Sequence, residues 1–184
     1  MKVFTPSRLI AVAALAVAAL SFGVASAGTG PGGTHKAADR DRGHQRSKAC
    51  VRSKHHLERN KRTAVAFYET AFNDKDPRLA VARYGGPEYI QHNPLAANGF
   101  DAFIGFVESF TSDFPDVHVD IRRVFAECDF VITHALLTGA EPVYTELGSK
   151  VVDIFRLNRD GKVVEHWDVL APISPESANG NPEV

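Results

Sequence analysis

The spacing of apolar residues changes near Val117, and this change limits the folds open to the chain more than any other feature. Before it, apolar side chains recur at helical spacing: Ala64, Val65, Tyr68, Ala71 and Phe72 in one segment, and Phe103, Ile104, Phe106, Val107 and Phe110 in another. Between them, Asp76-Pro77 predicts the cap and first turn of a short helix, PRLAVARY, stopped by Gly85-Gly86. Asn98-Gly99 marks a turn, and Asp101 is expected to cap the third helix. From Val117 onward the period is two. VHVDIRRVFAE, DFVITHALLTG, Ser149–Leu157 and Lys162–Leu170 read as strands, with Asn158-Arg159-Asp160-Gly161 as a hairpin turn. Glu88–Pro94 is a short extended segment closed by proline. Helices followed by long antiparallel strands predict an α+β domain with the helices on one face of the sheet.

The 184 residues suffice for one domain with a proper core, here Leu57 to about Ile173. Outside it the composition changes. Lys2 and Arg8, the apolar run Leu9–Phe22 and the small residues Ala25-Ser26-Ala27 read as an export signal over residues 1–27. The run is shorter than the roughly 20 residues of a comfortable membrane span, so no stable span is expected after cleavage near Ala27. The protein is therefore expected to be secreted or held in the cell envelope. Residues 28–56 read as a flexible basic arm, and 174–184 as a loose tail.

The net charge of -1 hides this division: residues 35–62 hold ten Lys or Arg against three acids, and residues 63–184 hold nine against nineteen. The arm lacks the aromatic interleaving of a nucleic-acid binder, so no nucleic-acid partner is expected. Its histidines, His35, His44, His55 and His56, read as solvated rather than as a metal site. Cys50 and Cys128 are the two cysteines, and in an oxidising compartment they could join the arm to the domain.

Several polar residues interrupt the apolar strands. His134 breaks FVITHALL, Asp153 sits within VVDIF, and His166 and Asp168 share one face of the last strand. His92 and Asn93 lie just before a loop. Pattern alone leaves two faces open for the last strand: His166 and Asp168 inward over a pocket, or Glu165 and Trp167 inward with the other pair in solvent. Alternate spacing would also permit a metal site from His92, His134, His166 and Asp168, although no motif supports one.

Tyr89-Ile90-Gln91-His92-Asn93-Pro94, Asp153-Ile154-Phe155-Arg156 and Gly161-Lys162 with Glu165-His166-Trp167-Asp168 resemble the SnoaL-like polyketide cyclases of the nuclear transport factor 2-like superfamily. The likeness spans roughly Leu57–Pro172. It implies a cystatin-like cone, with N-terminal helices packed on a strongly curved antiparallel sheet that encloses a pocket. It also implies a homodimer formed through the outer sheet face. The implied activity is acid/base chemistry without metal or cofactor, such as aldol cyclisation or isomerisation, on a small apolar carbonyl compound.

By position, Asp168 matches the catalytic aspartate and His134 the assisting histidine. His166 joins them, while Tyr89, Gln91, His92, Asn93, Asp153, Phe155 and Trp167 would line the pocket. Cys128 stands where such a hairpin commonly has glycine. The same fold also hosts binding modules, so a non-catalytic pocket for a hydrophobic small molecule is the alternative.

Overall fold

The computed structural model describes residues 53–140 and 146–184. The expected signal, nearly all of the arm, and Cys50 lie outside the described residues. Helix α1 (Lys54–Tyr68) begins three residues before the expected Leu57, because Ser53 accepts a hydrogen bond from the His56 amide and caps it. A π-helical turn, Glu69–Asn73, extends it. The Asn73 side chain then exchanges two hydrogen bonds with the Val119 backbone, at 2.9 and 2.8 Å, pinning the helix end to the sheet.

Helix α2 (Pro77–Tyr84) starts as the sequence predicts, with the Asp76 carboxylate accepting from the Leu79 amide at 2.9 Å and proline in the first turn. Helix α3 (Phe100–Asp113) differs at its start. Its cap is Gly99, at φ 94°, and Asp101 falls inside the first turn. There it still favours the positive end of the helix dipole.

Five strands form one open sheet in the order β1-β5-β4-β3-β2. They are β1 (Gly85–Gln91), β2 (His118–Glu127), β3 (Phe130–Thr138), β4 (Ser149–Leu157) and β5 (Val163–Pro172). The four later strands are antiparallel, as the alternation predicts. The pairing of β1 with β5 is parallel, so the sheet is mixed rather than wholly antiparallel. A parallel pair needs a crossover, which α3 and β2–β4 supply. β2 carries a bulge between Ile121 and Arg123, after which Val124 faces the same way as Thr133, and Arg123 the same way as His134.

The core lies between helices and sheet. Phe67 and Phe155 are fully buried, and Phe67 stacks on Phe103 with centroids 4.9 Å apart. The β2–β3 turn places Cys128 at φ 56°, a conformation glycine adopts without strain. Cys128 is disulfide-bonded.

Candidate functional site

Strand register decides which polar residues meet. Thr133, Asp153 and Asp168 lie side by side across β3, β4 and β5, and Phe155, His166 and Gln91 form the adjacent row across β4, β5 and β1. Alternation along β4 and β5 keeps both rows on the helix-facing side. Asp153 and His166 are almost fully buried there, and Asp168 is half-buried.

Tyr68, from the last turn of α1, reaches down to this surface. Its hydroxyl donates to Asp153 Oδ1 at 2.9 Å and lies 2.9 Å from His166 Nε2. His166 Nε2 is itself 3.2 Å from Asp153 Oδ1, while Thr133 donates to Asp153 Oδ2 at 2.9 Å. On the other side of the ring, His166 Nδ1 is 3.2 Å from Gln91 Oε1, an oxygen that also accepts from the Asn93 amide at 3.0 Å. The Gln91 oxygen is thus an acceptor, which puts a ring proton on Nδ1 and turns Nε2 toward Asp153 and Tyr68. The Asn93 side-chain amide spans both oxygens of Asp168, at 3.0 and 2.8 Å.

Two tyrosines border the carboxylates. Burial, and then the negative charge of Asp153, push the Tyr68 phenol well above its usual range. Burial, followed by the charges of Asp168 and Asp153, does the same to Tyr89, whose ring lies nearly parallel to that of His166. Both hydroxyls therefore stay protonated; that of Tyr68 donates to Asp153, and that of Tyr89 accepts from the Gln91 side-chain amide at 3.3 Å.

Of the expected pocket residues, Tyr89, Gln91, Asn93, Asp153, Phe155, His166 and Asp168 share this side. Three do not. His134 pairs in register with Val152 on the opposite face, with its Nδ1 3.1 Å from the Arg123 guanidinium. Only the neighbours Thr133 and Ala135 point inward, so the expected role of His134 as the assisting histidine has no geometric basis. Trp167 alternates with His166 and Asp168 and therefore also faces outward, where it stacks on His92 with centroids 4.3 Å apart. His92 follows Gln91 on the outer side and pairs with Glu165 at 2.8 Å. With His92 and His134 outside, the four-residue metal set considered from sequence does not assemble.

The outer cluster has its own electrostatics. Burial opposes the charge on Glu165, but hydrogen bonds from His92 and Arg156 outweigh it and hold the carboxyl below its usual range.

Sequence reasoning missed Tyr68 and Thr133 as site residues. Tyr68 occupies an ordinary apolar position of an amphipathic helix, and Thr133 looks like any strand threonine. No local signal marks either one.

Residues 64–166 match the SnoaL-like domain family, so this chain belongs to that family. Among curated protein sequences none matches it. Solved structures share the fold. A protein assigned to the SnoaL-like polyketide cyclases from Jannaschia sp. CCS1 is 24% identical, with a TM-score of 0.53 over 65% of this chain and 89% of that one. One assigned as a polyketide cyclase from Bacillus cereus ATCC 10987 is 18% identical, with a TM-score of 0.55 over 65% and 78%. TsrD from Streptomyces laurentii is 19% identical, with a TM-score of 0.51 over 65% and 90%. The described residues contain no helix long and apolar enough to cross a membrane.

Proposed function

We propose that the domain is an acid–base catalyst for a small carbonyl compound, working with its own side chains. Asp168 is the base that takes a proton from the carbon beside the carbonyl. The His166–Asp153–Tyr68 cluster behind it supplies and recovers protons as charge develops on the oxygen. The observation that carries this reading is the setting of Asp168. Its half-buried carboxylate is oriented by Asn93, and it lies within 4.8 Å of the buried histidine and aspartate. Aldol cyclisation and isomerisation both begin with this proton removal.

Proton exchange in deuterated buffer, followed by NMR over a panel of small ketones and keto esters with chelator present, tests the proposal. Asp168→Asn should lose roughly 100-fold or more of the exchange, the scale of one general base, while retaining ligand affinity. A wild-type protein that binds panel members and exchanges none of their protons would instead be a binding module.

Two expectations about its setting accompany this proposal. Export is supported by the N-terminal sequence and by the disulfide at Cys128, which suits an oxidising compartment. The mass of the mature extracellular protein checks it, and a product retaining residues 1–27 inside the cell overturns it. A homodimer is supported by the outer sheet face, where Phe125, Ile132, Ile154 and Trp167 form a row across β2–β5 and Phe125 is 58% exposed. Light scattering should give a dimer that Phe125→Asp splits; a wild-type monomer would refute it.

A further inference from the structure

Asp153, His166 and Asp168 each offer one ligand atom, and these atoms all lie within 4.8 Å of one another. We infer that these three side chains form a binding site for a divalent transition-metal cation.

Charge is the first argument. Two carboxylates face one another across a largely buried surface. Among the described residues their hydrogen-bond partners are Tyr68, Thr133, His166 and Asn93, with no lysine or arginine. A divalent cation bound between them would offset the desolvation of both carboxylates. Donor chemistry narrows the choice: an imidazole nitrogen with carboxylate oxygens suits zinc, cobalt or manganese better than calcium or magnesium.

Support around the donors is the second argument. Each of the three is also held by a different residue outside the set. Gln91 Oε1 accepts from His166 Nδ1 and so aims Nε2 inward, Thr133 donates to Asp153 Oδ2 while Oδ1, which accepts from Tyr68, faces Nε2, and Asn93 donates to both oxygens of Asp168. Metal-binding histidines and carboxylates are oriented by outer partners of this kind.

Distance is the third. Metal–ligand bonds of about 2.0–2.2 Å place neighbouring donors roughly 3.3 Å apart. Asp153 Oδ1 and His166 Nε2 already stand at 3.2 Å. Asp168 has about 1.5 Å or less to close, and its half-buried position at the open side allows that movement.

The binding inference does not rest on the catalytic reading. Its consequence does: a cation held by Asp168 would withdraw the proposed base, so the loaded form would exchange substrate protons more slowly.

The test uses the mature protein stripped with chelator. Zinc calorimetry and the visible absorption of added cobalt should both saturate at one ion per chain. Asp168→Asn and His166→Gln should each weaken binding at least tenfold, and Thr133→Val by about tenfold through the loss of an outer partner. Circular dichroism checks that each variant is folded, and Asp168→Asn, at a half-buried position, decides the matter if His166→Gln does not fold. His92→Ala and His134→Ala should leave the affinity unchanged. No stoichiometric uptake, or uptake that Asp168→Asn leaves intact, overturns the inference; in the second case the arm histidines are the binders. Proton exchange measured with chelator present is unaffected by either failure, so the two proposals stand or fall separately.

Discussion

The Asp153 carboxylate and the His166 imidazole face each other at 3.2 Å while each is at most 2% exposed. A pair so enclosed is stable only with its remaining polar atoms satisfied. Tyr68, Thr133 and Gln91 satisfy them, each from a different element of the fold. Deleting any one of these partners therefore costs more than an average hydrogen bond.

Tyr68→Phe is the sharpest case. The ring packing against Phe155 survives, but Asp153 loses a donor in a dry setting. Urea denaturation should show a loss of about 1–3 kcal/mol with an unchanged slope. Proton exchange should also fall, because the cluster behind Asp168 loses a donor that stays protonated at working pH.

The outer ion pairs predict a pH effect. The Glu165 carboxyl is lowered from 4.5 in the folded protein, so its contribution is fully present above the unfolded value and is lost as pH falls through the folded one. Glu165→Gln should therefore destabilise the protein by about 1 kcal/mol near neutrality. That difference should shrink as pH drops below 4.5 and vanish beneath the folded value, as read from denaturation midpoints across the acid range.

His134→Ala should leave proton exchange unchanged and alter stability by no more than about 0.5 kcal/mol, since the side chain lies on the outer face beside Arg123. A large loss of exchange would mean that the outer face takes part in the chemistry.

Gly139 has φ 75°, and a Cβ there would stand 2.0 Å from the Asp116 carbonyl oxygen. Gly139→Ala combines left-handed backbone strain with a collision against main chain that has little room to move. Thermal or urea unfolding should show a loss of roughly 2–4 kcal/mol.

Local patterning carried the elements. The change of period at Val117, the Asp76-Pro77 cap and the turn ending at Gly161 (φ 76°) all express forces between near neighbours in the chain, and the structure has each of them. The inward side of β5 could be narrowed to two faces, because alternation reports that faces differ but not which one is covered.

What only the tertiary structure decided was the meeting of distant groups. Asp153 and His166 come together through β4–β5 register, and Tyr68 joins them from 85 residues before Asp153. The same register turned His134, His92 and Trp167 away, for a side chain one position along a strand points to the opposite side of the sheet. The parallel pairing of β1 brought Gln91 and Asn93 to β5, and no periodicity within the Glu88–Pro94 segment encodes that partner. Patterns of burial are local and can be read from sequence. Which buried polar groups satisfy one another depends on long-range register, and that is a property of the folded chain.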